Sequence, residues 1–97
     1  MNLMSLVKQV YQSSSFKKKV KKLHKNQKDD LDKAVQELLN NPNLGEQKKG
    51  DLVYLRVYKF KMANQESLLG YSFEEDRLIL ELLALGSHEN FYRDLKS

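Results

Sequence analysis

Cysteine is absent from this 97-residue chain. That excludes a disulfide framework, a thiolate metal site and a thiol nucleophile, and it is compatible with a reducing cytoplasm. Glycine is sparse. Gly45, Gly50, Gly70 and Gly86 stand singly, so there is no glycine-rich phosphate loop, and no GxSxG elbow occurs. The two histidines, His24 and His88, lie far apart without HExxH or paired-ligand spacing, which argues against a zinc or iron site. No segment approaches the roughly 18 apolar residues of a membrane span, and Met1 to Tyr11 is too short and broken for a signal peptide. Acid is missing from one region altogether. Met1 to Lys28 holds eight lysines and no carboxylate, whereas from Asp29 onward nine basic residues face thirteen acidic ones.

What is present is an ordinary globular balance, 40% hydrophobic and 31% charged. One domain over residues 1–97 with a single modest core fits that length. The net charge of +4 matters less than its concentration in the first third. A basic N-terminal region suggests an anionic partner, with nucleic acid ahead of membrane because no amphipathic anchor accompanies it. The plain alternative is a solvated lysine face that keeps the protein soluble.

Taken in order, Ser5 to Tyr11 mixes Val, Leu and Tyr with polar residues and reads as a first strand. Ser13, Ser14 and Ser15 are N-cap candidates. Phe16, Val20 and Leu23 then form one helical stripe, with lysines filling the other positions, and His24 to Gln27 is expected to turn the chain. A second helix is marked by Leu31, Ala34, Val35, Leu38 and Leu39, with Asp29, Asp30 and Asp32 expected in its first turn and Asn40-Asn41-Pro42 stopping it. After a loop from Asn43 to Gly50 come three β-runs, Leu52 to Met62, Ser67 to Phe73 and Arg77 to Leu85, joined by short polar turns. Such connections make antiparallel neighbours. The fold class is therefore α+β: a strand, a helical hairpin packed on one side of a three-stranded antiparallel meander, and a short helical tail after Ser87. One conflict stands in the first β-run. Val53, Leu55 and Val57 share a parity with Lys59 and Lys61, so one face turns from apolar to charged midway, through a bulge or because the far half emerges from under the helices.

The chemistry-bearing residues gather around the last run. Leu78 to Tyr92 is densely apolar up to Gly86 and then presents Ser87, His88, Glu89, Asn90, Phe91 and Tyr92 at the rim of a rigid core. Histidine exchanges protons near neutrality. Lys59 and Lys61 on one strand face could neutralise a pentacoordinate phosphorane. Tyr92, four residues after His88, would share its side of a helix and could stack on a base. Such a kit suits RNA cleavage by the RNA's own 2′-hydroxyl, which needs a base, an acid and charge stabilisation but no metal and no cofactor. Taken singly, each residue has an ordinary reading: a surface histidine, solvated lysines protecting a strand edge, aromatics closing a core. Only the combination lifts the functional one.

The order of elements, together with Phe16 and its lysines, Tyr58-Lys59-Phe60-Lys61, Leu68-Leu69-Gly70-Tyr71 and Gly86 to Tyr92, resembles the RelE/ParE superfamily of bacterial toxins. The architecture covers nearly the whole chain, and the motif spacing covers Tyr58 to Tyr92. The resemblance to its RelE-like branch implies a ribosome-dependent, metal-independent endoribonuclease of the bacterial cytoplasm that cuts messenger RNA and is held inactive by a cognate antitoxin. On that resemblance, Lys59 and Lys61 would stabilise the phosphate, with His88 as acid or base and Tyr92 as its aromatic companion. Lys17, Lys18, Lys21, Lys22 and Lys25 would dock on ribosomal RNA, and no membrane is involved. Leu68 stands where the RelE pattern has an arginine, leaving Arg56 or Arg93 to remake the phosphate clamp. Two alternatives remain: a ParE-like inhibitor of DNA gyrase, which needs no nucleolytic residues, and a non-catalytic basic module that binds RNA or DNA.

Overall fold

The computed structural model describes residues 7–96. The first strand, β1, spans Gln9–Gln12, later than expected; Ser5 and Leu6 of the expected strand lie outside the described residues. Helix α1, Ser14–Lys21, starts because Ser13 accepts the Phe16 N–H on its hydroxyl at 3.1 Å. Helix α2 runs from Lys25 to Asn40. The expected turn over His24 to Gln27 is thus corrected, since Lys25 to Gln27 already belong to the helix. Its start is secured by the Gln27 side chain, which accepts the His24 N–H at 2.8 Å. Asp29, Asp30 and Asp32 consequently sit past the first turn. They contribute less to the helix dipole than their expected place would have allowed. Asp30 acts instead as a tie, because its carboxylate accepts the Ala63 N–H at 2.8 Å and joins α2 to a hairpin of the sheet.

The sheet has five strands in the order β1-β5-β4-β3-β2, where β2 is Glu46–Gln47, β3 Arg56–Met62, β4 Gln65–Glu74 and β5 Ile79–Ser87. The expected meander is β3-β4-β5. Two pairings were not expected: β1 lies parallel to β5, and the short β2 forms inside the supposed loop, antiparallel to β3. Gly50 to Leu52 is a 3₁₀ turn rather than strand, so β3 starts at Arg56 and not at Leu52. Ala63 and Asn64 close the β3–β4 hairpin as a two-residue turn, both with positive φ (52° and 67°).

The dense Leu/Ile run is explained by burial on both faces. On one face the helical hairpin packs Phe16, Leu31, Ala34 and Leu38 against Met62, Leu69, Tyr71 and Leu80. On the other, helix α3, His88–Lys96, sets Phe91 against Leu55, Val57 and Leu68. Gly70 lies beneath that ring, and a Cβ there would come within 2.6 Å of Phe91 Cζ. Leu82 and Leu85 both reach the hairpin face because Gly70 pairs with Ala84 and Tyr71 with Leu82, leaving Leu83 as an extra residue. The Leu83 carbonyl accepts the Ser13 hydroxyl at 2.9 Å, so the irregularity is bonded to the start of α1.

Pairing between β3 and β4 is regular from Arg56↔Tyr71 to Met62↔Gln65, with no bulge. The change of face along β3 therefore has the second of its two explanations. Val57 is covered by α3, while Lys59 and Lys61 emerge beyond that cover and are exposed. Tyr58, Phe60 and Met62 point to the hairpin face, as their alternation requires.

Candidate functional site

Ser87 caps α3 by accepting the Asn90 N–H at 3.4 Å, which places His88 at the helix start, exposed. One turn on, Tyr92 lies edge-on to it, with ring centroids 6.5 Å apart. Tyr92 is held from behind by Phe91, at 5.0 Å between centroids, so the tyrosine inherits the fixed position of a fully buried ring. These two residues face an open groove of about 450 Å³ between α3, β2 and the outer part of β3. Its polar wall is Glu46, Lys48, Lys59, His88 and Tyr92; its apolar floor includes Leu44, Val57 and Leu68.

Of the four expected catalytic residues, the fold thus brings Lys59, His88 and Tyr92 together. Lys61 lines a different groove of about 280 Å³, toward α2, which it shares with Asp30, Lys33 and Glu37. Lys59 stands between the two grooves and lines both. Leu68, expected from the resemblance to replace an arginine, is buried under Phe91 and contributes only its apolar surface.

The expected RNA contacts divide as well. Lys17, Lys18, Lys21, Lys22 and Lys25 are all exposed along α1 and the start of α2, with Lys25 paired to Asp29 at 3.3 Å. Being on the hairpin helices, they lie across the sheet from α3. Arg56 is engaged elsewhere: its Nη1 donates to the Gly45 carbonyl at 2.8 Å and to that of Asn43 at 3.3 Å. Arg93 is exposed and donates to the Asn90 side chain at 2.7 Å. Neither arginine lines the groove.

Lys48 and Glu46 escaped the sequence reading because their segment looked like a plain loop. The available signal was the Glu-x-Lys alternation, which puts both side chains on one side of an extended chain. The loop is fastened from below by Tyr71, whose hydroxyl donates to the Pro42 carbonyl at 2.6 Å and accepts the Gly45 N–H at 2.8 Å. Gly45 is required there, since a Cβ would fall 2.7 Å from the tyrosine ring. Burial raises the Tyr71 pKa above its ordinary value, against the opposing pull of the Gly45 N–H and of Arg56. Beyond this latch, the Lys48 N–H donates to the Leu55 carbonyl at 2.9 Å. Its Nζ lies 3.1 Å from Glu46 and 5.6 Å from the Tyr92 ring centroid. Hydrogen bonding to Tyr92, and next to Glu46, holds the Lys48 pKa above the usual lysine range.

On the far side of β3, the Tyr58 hydroxyl donates to the Glu37 carboxylate. That hydrogen bond, with burial adding to it, pushes the Tyr58 pKa up to about 12. Among the described residues no helix is long and apolar enough to cross a membrane.

Comparison with known proteins agrees with this architecture. A chain of the intact E. coli RelBE toxin–antitoxin complex superposes with a TM-score of 0.65 at 19% identity, over 80% of this chain and 93% of that one. A double-mutant E. coli RelE in the free state gives 0.67 at 20% identity, over 90% and 87%. Isolated E. coli RelE gives 0.63 at 19%, over 90% and 94%. At such identities the likeness shows the fold alone. A search of curated proteins by sequence finds no match. A family model, the ParE-like toxin of type II bacterial toxin–antitoxin systems, matches residues 10–96. The chain therefore belongs to the RelE/ParE superfamily, as a ParE-like toxin of a type II toxin–antitoxin system.

Proposed function

We propose that this toxin is a ribosome-dependent endoribonuclease that cleaves messenger RNA by 2′-hydroxyl attack and so stops translation. The observation that carries this reading is the α3 groove, in which Lys59, His88 and Tyr92 meet beside a second cation. Attack of the 2′-oxygen forms one bond to phosphorus and breaks the bond to the 5′-oxygen. The products are a 2′,3′-cyclic phosphate and a 5′-hydroxyl. One proton must leave the 2′-hydroxyl and one must reach the 5′-oxygen. His88, exposed at the groove wall, handles one of these transfers. Lys59 stabilises the extra negative charge on the phosphorane. The ring of Tyr92, held by Phe91, offers a face or edge against which a nucleobase is positioned.

The groove is shallow and open, so an RNA strand is not gripped by it alone. A ribosome presenting the message would supply that positioning. The lysines of α1 and early α2 would then dock on ribosomal RNA from the opposite face of the domain. A cognate antitoxin is the natural second partner, as in the RelBE complex. A second reading, inhibition of DNA gyrase, draws on the match to a ParE-like family model rather than on the groove.

Induced expression in bacteria, with and without His88→Ala, separates the readings when the 5′ ends of cellular messages are mapped. The expected result is growth arrest with cuts inside translated codons, falling by about 10²-fold or more in the variant. Arrest with intact messages and induced DNA damage would replace the nuclease by the gyrase reading. No arrest would leave a binding module.

A further inference from the structure

The groove holds a cation that the expected kit did not include, and it lacks one that the kit did include. Lys48 reaches the groove from the residue after β2, and Lys61, two residues beyond Lys59, does not. Two groups hold the Lys48 ammonium, the Glu46 carboxylate at 3.1 Å and the face of the Tyr92 ring, 5.6 Å away at its centroid. Its side chain keeps 27% of its exposure. A freely solvated lysine loses side-chain entropy when it grips a phosphate; one already held beside its target loses less. Three N–H donors leave capacity for a phosphate oxygen after Glu46 has taken one.

The neighbourhood also explains why a substitute is needed. Leu68, buried under Phe91, brings no charge to the groove floor. Arg56 spends its Nη1 on the Gly45 and Asn43 carbonyls, and Arg93 bonds to Asn90 outside the groove. Among the described residues, Lys48 is the lysine that lines the groove besides Lys59.

We infer that Lys48, and not Lys61, is the second catalytic cation: it contacts a non-bridging oxygen of the scissile phosphate opposite Lys59, oriented by Glu46 and Tyr92. The inference rests on the nuclease reading above. Glu46 acts through Lys48 as a positioning residue, and the Tyr71 latch delivers the segment that carries both.

The test compares Lys48→Met, Lys48→Arg and Lys61→Met with the wild-type chain, by mapping message 5′ ends after induction and by titrating each purified protein with adenosine 2′,3′-cyclic phosphate under NMR. Thermal unfolding of all four is measured alongside. The expected outcome is a fall in cutting of about 10²-fold or more for Lys48→Met. Partial recovery is expected in Lys48→Arg, which keeps the charge and suits phosphate geometry. Lys61→Met should stay within a few-fold of wild type, and the cyclic phosphate should perturb His88 and Tyr92 signals in every protein except Lys48→Met. A merely structural role would lower the unfolding temperature of Lys48→Met and would not be rescued by arginine. Wild-type cutting with an unimpaired, folded Lys48→Met overturns the inference alone. A wild-type chain that arrests growth without cutting any message overturns the nuclease reading and the inference together.

Discussion

On one face of the sheet two helices bury Leu31, Ala34, Leu38 and Phe16 against three strands; on the other, one short helix sets a single ring, Phe91, over Leu55, Val57 and Leu68. The larger core supplies most of the apolar burial and hence most of the stability. The smaller one leaves the outer half of β3 bare, and there Lys59 meets His88, Tyr92 and Lys48 around a groove. The hairpin face is the more fully covered of the two. A face covered in part has both a rigid floor and an opening. The difference teaches that the candidate site of this toxin is built where packing stops.

The sharpest way to break the comparison is to delete apolar volume on each face in turn. Leu38→Ala removes a fully buried side chain from the hairpin core and should cost about 2–5 kcal/mol, lowering the melting temperature by tens of degrees or unfolding the domain. Phe91→Ala should act locally. Its ring fastens α3 to the sheet, so the loss is capped by the free energy of undocking that helix. Message cutting should vanish while hydrogen-exchange protection falls in α3 and persists in the hairpin. An equal fall in melting temperature for both variants would show that the two faces are one cooperative core.

Next in size is the latch between them. Tyr71→Phe keeps the ring but leaves the Pro42 carbonyl and the Gly45 N–H without their buried partner. The expected cost is about 1–3 kcal/mol by denaturant titration. Cutting should also decline, because the loop that presents Lys48 is loosened. Unchanged activity at reduced stability would separate the latch from the site.

The smallest effect is titratable. The Tyr58 pKa stands at about 12 in the folded chain, above the ordinary tyrosine value of 10.0, because its hydroxyl donates to Glu37. A raised folded-state pKa favours the neutral form in the native state. The stabilisation is therefore complete below about pH 10 and is lost as the pH climbs through about 12. Tyr58→Phe should flatten that part of the stability–pH curve. A curve identical in the variant would mean that the α2–β3 contact does not depend on this hydrogen bond.

Much of the molecule is legible in the chain alone because it depends on periodicity. The Leu31–Leu39 stripe, the alternation through Tyr58, Phe60 and Met62, and the stop at Pro42 each express a local rule of helix or strand geometry. His88 and Tyr92 could be paired for the same reason: four residues on a helix are one turn. Element starts were less legible. At His24 to Gln27 a side-chain cap extended α2 by a full turn where polar composition suggested a break.

Other features were decided only by tertiary contact. Nothing in Gln9–Gln12 specifies a parallel partner, since that pairing exists because the hairpin returns the chain to the free edge of β5. The strand at Glu46–Gln47 is too short to announce itself and forms because Tyr71 and Arg56 hold the preceding loop against β3. Equal spacing along β3 made Lys59 and Lys61 look equivalent, but the packing of α3 and α2 put Lys59 on both grooves and Lys61 on the α2 groove alone. The sequence by itself determined which residues could carry charge and which faces had to be buried, because periodicity is a property of the chain. Which cations share a groove was left to the packing of α3 and of the latched loop, because proximity between distant residues is a property of the assembled sheet.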